Sequence, residues 1–299
     1  MLVVYAGSGA FALGPLRALA ASRHRILAVL TAPDGIGDRG RPAARPVRDL
    51  AGELALPVLQ PARLTKDDLD GALGSGAELL VVCAYGQLVR RPVLAAFPRG
   101  AVGVHPSLLP RHRGASPVAA AILAGDLVTG VTIYQMDERL DSGPILAAES
   151  LQIAREATTP TLQASLEALA ARLLPATLDL LEEGKITPQP QSEDQATYAP
   201  RLSRADGRVT WDQSAEEIER RLRALQPWPG VTAELGGAEV KLLAGSALSD
   251  QGPAGPPESV VVPTASGLFQ IDLVQPSGGR PMTAAAFMRG RRLPAEQRS

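Results

Sequence analysis

Among its 299 residues the chain has one cysteine, three histidines, three lysines and no asparagine. A single thiol excludes an internal disulfide and a cysteine-cluster metal centre. It stands in the run LLVVCAY, so Cys83 is expected to be a buried core residue. Three histidines, at 24, 105 and 112, form no ligand-spaced set, and no metal site is expected; His24, between two arginines, is expected in a surface turn. No run of about 18 apolar residues occurs, so no membrane span is expected. MLVVYAGSG enters a strand with no basic leader before it, which reads as no signal peptide and a cytoplasmic setting. The net charge of −1 makes the whole molecule no polyelectrolyte.

What is present is a soluble, core-forming composition, 45% hydrophobic, at a length that suits one or two domains. Leu2–Ala6 reads as an apolar strand, Gly7-Ser8-Gly9 as a turn, Ala10–Ala21 as a helix and Ile26–Leu30 as a second strand. This opening is that of an α/β fold with a mostly parallel, Rossmann-like sheet. GSGAFA also fits the dinucleotide pattern G-x-G-x-x-A, with Asp34 as a ribose-binding acid, but a bare pattern of this kind recurs by chance. Leu79–Tyr85 is a continuous apolar run, as in a central parallel strand. A long helix is expected from Thr158 or Thr159 past Pro175 to Glu183. Thr187–Asp194, TPQPQSED, is polar, rich in Pro and Gln, and reads as a linker. Beyond it, Ser214–Leu225 carries a capping box (Ser214, Glu217), and short strands broken by Gly and Pro then suggest a small β-barrel.

Arginine is clustered. Arg39, Arg41, Arg45 and Arg48 crowd one Gly/Pro-rich loop, and Arg280, Arg289, Arg291 and Arg292 crowd the C-terminal end. A GC-rich genome accounts for the choice of arginine over lysine, not for the clusters.

The most informative stretch is AVGVHPSLLPRHRGAS, residues 101–116. Ala101–His105 is a short apolar strand that ends on a histidine, and Pro106 stops it because proline has no N–H for the sheet. A histidine at the carboxyl end of such a strand stands where open α/β sheets bind ligands. Downstream lies the acidic knot Asp137-Glu138-Arg139-Leu140-Asp141-Ser142-Gly143. HPSLLPRHRG, then TGVTIYQMD, then LDSGPIL, with Ala84-Tyr85-Gly86, Gln226-Pro227-Trp228-Pro229 and Phe287–Arg292 in order, resemble the folate-dependent formyltransferase family over nearly the whole chain.

The resemblance implies transfer of a formyl group from 10-formyltetrahydrofolate, as co-substrate, to an amine; the expected acceptor is the methionine of initiator tRNA. It implies three regions: a catalytic domain over 1–186, a linker over 187–204 and an OB-like tRNA-binding domain over 205–299. His105 and Asp141 match the family's catalytic pair, Ser107, Leu108, Leu109 and Pro110 its folate-binding loop, and Arg39, Arg41 and Arg45 its tRNA-facing basic loop, here shorter than usual. No metal, no membrane and a monomer are expected. Where the family has a catalytic asparagine, this chain has Gly103. Positions 103 and 105 share one face of a strand, so Gly103 is expected to leave a hole beside the histidine. Water, Gln87 or Gln135 are the candidate replacements for the amide. Two other readings stay open: a sugar-amine formyltransferase, and a folate- or tRNA-binding homologue impaired in catalysis by Gly103.

Overall fold

The alternation of apolar strands and amphipathic helices builds a seven-stranded sheet. The computed structural model describes residues 1–35, 45–248 and 258–289. The first elements are β1 (Leu2–Gly7), α1 (Leu13–Ala20), β2 (Arg25–Leu30), α2 (Pro46–Glu53), β3 (Val58–Leu59), α3 (Asp70–Gly74), β4 (Leu79–Cys83) and α4 (Arg91–Leu94). Next come β5 (Ala101–His105), β6 (Arg113–Gly114), α5 (Pro117–Ala124), β7 (Val128–Gln135), β8 (Ile145–Gln152) and α6 (Thr159–Glu182). The sheet order is β3-β2-β1-β4-β5-β7-β8. Its first five strands run parallel, and β7 and β8 join antiparallel. Chain order reverses between β1 and β4, the position at which such sheets open a crevice at their carboxyl ends.

Burial follows the reading of the strands. Val3 to Ala6, Leu79 to Val81 and Cys83 are wholly inaccessible, and β5 is buried along its whole length. One face of the sheet packs Val4, Leu30, Leu69, Leu80, Tyr85 and Phe97 into a single core. Burial pushes the Cys83 thiol up to about 12, as expected of an inert core cysteine. The long helix runs through Pro175 as expected.

Two of the shorter expectations change. The helix expected over Ala10–Ala21 starts as a 3-10 turn, Ala10–Ala12, because Tyr5 donates its hydroxyl to the carbonyl of Ala12 and pins the entry. His24, expected in a surface turn, is buried. The amides of Ser8 and Gly9 in the glycine turn both donate to the carbonyl of Ala84, and Asp34 accepts from Arg48 and Gln60 and pairs with Arg45.

The chain divides into two compact units. One holds residues 1–117, 127–153 and 161–199, so the polar stretch after α6 belongs with the sheet. Gln189 exchanges backbone hydrogen bonds with Ile145, and β9 (Tyr198–Ala199) pairs with β6. The other unit holds 118–126, 154–160 and 200–299. In it, α7 (Ala215–Ala224) starts on the Ser214/Glu217 capping box. Then follow β10 (Val231–Leu235), β11 (Ala238–Leu248), β12 (Val260–Pro263), β13 (Leu268–Pro276), β14 (Met282–Thr283) and α8 (Ala284–Met288). These strands form an antiparallel sheet of order β10-β11-β13-β12, with β14 on β13, the small OB-like domain expected.

Candidate active site

His105 is the last residue of β5, and its position is fixed from both sides of the ring. Nε2 lies 2.8 Å from the carbonyl oxygen of His112. A carbonyl only accepts, so Nε2 carries a proton, and Nδ1 is the nitrogen left to take one up. Nδ1 faces Oδ2 of Asp141 at 3.7 Å, with both side chains largely buried. That separation is longer than a hydrogen bond and short enough for strong attraction once the imidazole is charged.

Asp141 sits in the turn between β7 and β8 with φ +50°, a left-handed conformation that aspartate tolerates in turns. Its carboxylate is held at each oxygen. Oδ2 accepts from the backbone N–H of Gly114 at 2.7 Å, and Oδ1 accepts from the hydroxyl of Tyr134 at 2.7 Å. Its main-chain carbonyl accepts from Gln191 Nε2 at 2.9 Å, as does that of Gly143 at 2.7 Å. Gln191 is held in turn by Arg113, whose buried guanidinium also grips Glu193. Hydrogen bonding and charge from Glu193 strengthen that guanidinium's hold on its proton. Gly143 cannot carry a side chain: a Cβ there would stand 1.8 Å from the carbonyl oxygen of Gln135.

The space at Gly103 is not open. Gly103 pairs with Tyr134 across the antiparallel β5–β7 ladder, so both residues face the same way. A Cβ at 103 would lie 2.4 Å from two ring atoms of Tyr134 and 2.7 Å from its hydroxyl oxygen. The expected hole is therefore a correction: the phenol fills it. Nor is Gln87 a replacement amide, since it bonds the N–H of Leu64 and the carbonyl of Pro61. Gln135 is exposed at the end of β7 and, one residue along from Tyr134, takes the opposite face.

The loop after β5 is built on Thr132, which pairs with His105 across the ladder. Its hydroxyl donates to the carbonyl of Ser107 and accepts from the N–H of Leu109. The Ser107 hydroxyl donates to the carbonyl of Arg111, so its side chain serves the loop itself. Leu109 is buried, and Leu108 lies against the backbone of Gly130, where a Cβ would meet it at 2.6 Å. Pro110 is half-buried. The N–H of His112 donates to Thr197, which locks the carbonyl that orients His105.

Of the three arginines of the basic loop, Arg39 and Arg41 lie outside the described residues. Arg45 is bound to Asp34. Among the described residues, one group has metal-ligand geometry: His24, Asp179 and Glu182, with ligand atoms within 4.8 Å of one another. Both carboxylates are already paired with Arg23, and the group lies at the amino-terminal side of β2, away from the strand ends that carry His105. Thr132 and Tyr134 lie in TGVTIYQMD and Gly114 ends HPSLLPRHRG, but neither stretch names a role for them, and Gln191 falls in no motif. The one available signal was Gly103 itself, since a glycine inside an apolar strand marks a close approach.

Residues 1–178 match the formyl transferase family model, and residues 201–292 match that of the formyl transferase C-terminal domain. The chain belongs to the formyltransferase family. It is similar to a methionyl-tRNA formyltransferase of Roseiflexus castenholzii, 44% identical, with 99% of this chain and 98% of the relative covered. It is also similar to the enzyme of that name from Heliobacterium modesticaldum, 38% identical over 98% of each. Among solved structures the fold matches an N-formyltransferase from Helicobacter canadensis solved with folinic acid and dTDP-3-aminofucose. There the TM-score is 0.68 at 15% identity, covering 91% of this chain and 98% of that one. It also matches HypX from Aquifex aeolicus with tetrahydrofolic acid, TM-score 0.60 at 17% identity, covering 96% of this formyltransferase and 46% of HypX.

Proposed function

We infer that this formyltransferase moves the formyl group of 10-formyltetrahydrofolate to the methionine amine of initiator Met-tRNA, in support of translation initiation. The observation that carries the reading is the full-length identity of about two residues in five to relatives of that name. His105 acts as the base: Nδ1 takes the proton that the amine loses as nitrogen attacks the formyl carbon, and Asp141 stabilises the imidazolium so formed. Returned to the departing folate nitrogen, the same proton completes the transfer. Nε2, held on the His112 carbonyl, keeps the ring from turning during both steps.

The loop Ser107, Leu108, Leu109 and Pro110 forms one wall for the folate. Exposed Leu88 and Leu140, beside the ends of β4 and Asp141, offer apolar surface for its rings. Residues 1–186 carry catalysis together with the stretch 187–199 that packs on the same sheet, 205–299 hold tRNA, and Arg39, Arg41 and Arg45 contact it as well, in a cytoplasmic monomer that uses no metal. Incubating the chain with 10-formyltetrahydrofolate and, in parallel, Met-tRNA or a dTDP-amino sugar tests the reading. Formyl transfer to Met-tRNA alone is expected; transfer to the sugar and not to the tRNA contradicts it.

A further inference from the structure

Asp141 faces the ring of His105 across 3.7 Å, so whatever fixes its carboxylate bears on the setting of the base. One oxygen is fixed by the Gly114 N–H; the other is fixed by the hydroxyl of Tyr134, a residue that sits on the neighbouring strand and is buried. A carboxylate only accepts, so the phenol is the donor. The ring can reach this position because residue 103 has no side chain: the Cβ of any other residue would overlap ring carbons at 2.4 Å. The family pattern puts an amide side chain at position 103. In this chain the hydroxyl oxygen of Tyr134 stands 2.7 Å from where that Cβ would be. A polar group that bonds Asp141 is thus supplied from β7 at the place where β5 has no side chain.

We propose that Gly103 and Tyr134 act as one unit, in which the missing side chain admits the phenol and the phenol hydroxyl aligns Asp141 with His105 for formyl transfer. Tyr134 is then a positioning residue. This rests on the function inferred above. Burial, and next the Asp141 charge, raise the Tyr134 phenol well above its ordinary range, so it stays a donor at every working pH. The titratable groups that act on this pair are His105 from β5, which faces Asp141, and Asp137 on the same turn, whose charge acts on the Tyr134 phenol. Arg113, next to Gly114, is turned to Gln191 and Glu193.

The test uses the full chain and formyl transfer to Met-tRNA, with kcat, KM and the pH profile measured for native protein, Tyr134→Phe, Gly103→Asn, and Gly103→Asn with Tyr134→Ala. Tyr134→Phe keeps the ring and so the packing. It is expected to lower kcat about 10- to 100-fold, the worth of one hydrogen bond to a charged group. KM for both substrates should hold, and the pH profile of kcat/KM should differ from the native one. Gly103→Asn alone should lose nearly all activity, and removing the ring with Tyr134→Ala should restore at least about tenfold of it, since a direct overlap makes the pair strongly non-additive. Tyr134→Phe with native kcat and a native pH profile overturns the proposal, as does a double variant no better than Gly103→Asn. A native chain that forms no formylmethionyl-tRNA overturns the functional reading as well, so the two failures are told apart.

Discussion

Asp141 does its work through position. Held at both oxygens and in a left-handed turn, it has little freedom to move relative to His105. Asp141→Asn keeps the size and removes the charge that stabilises the imidazolium. It is expected to cost about 10²–10⁴ in kcat/KM, as loss of the corresponding carboxylate does where a histidine is the base. Measured substrate affinity should change far less, because the side chain faces the histidine. Cys83 gives a second check at the same scale. Buried and pushed up to about 12, its thiol should resist iodoacetamide in the folded protein and react fully in denaturant. Labelling at the same rate in both states would place it elsewhere.

Between elements, the β5–β7 pairing decides most of the site. Gly103→Ala puts a methyl into the Tyr134 ring, and overpacking of this kind costs about 1–3 kcal/mol. Gly143→Ala meets a backbone carbonyl, which cannot rotate away, and should destabilise more. Denaturant midpoints of the two variants test that order. This level also separates what could be read in the sequence from what could not. The strand that ends on His105, the proline that stops it and the loop behind it follow from local chemistry, and each lies where the residues implied. The partner of Gly103 did not, because a glycine announces a close approach without naming the strand that makes it. Nor did the role of Gln191: in TPQPQSED nothing periodic marks it, and its bonds to the turn at Asp141 come from chain more than forty residues away.

For the molecule as a whole, acid should be the destabilising direction. Burial, with the charge of the Met1 amine second, lowers the proton affinity of His24. The unfolded chain therefore binds a proton that the folded chain resists, so stability is full above the ordinary histidine range and falls as pH drops through it. Hydrogen bonds from Arg23 and from the Met1 amine hold Asp179 and Glu182 below the usual carboxylate range, and protonating them adds a further loss at lower pH. Melting temperatures from about pH 8 to 4 should thus fall in two stages, and His24→Gln should remove the upper one, near the ordinary histidine range. An unchanged upper stage would assign it to another group. Binding of tRNA should weaken as salt rises, and replacing Arg39, Arg41 and Arg45 with alanine should reduce the slope by about one for each phosphate no longer neutralised. An unaltered slope would remove that loop from the tRNA surface.

The chemistry of the site turns on a proton that passes through His105 during the transfer. The most direct measurement is the initial rate of formyl transfer from 10-formyltetrahydrofolate to initiator Met-tRNA, at saturating substrates, for the native chain and His105→Ala. The native chain should form formylmethionyl-tRNA, with the variant slower by about 10²–10⁴-fold. A native chain that transfers nothing, or a variant that keeps pace with it, would contradict the role given to this imidazole.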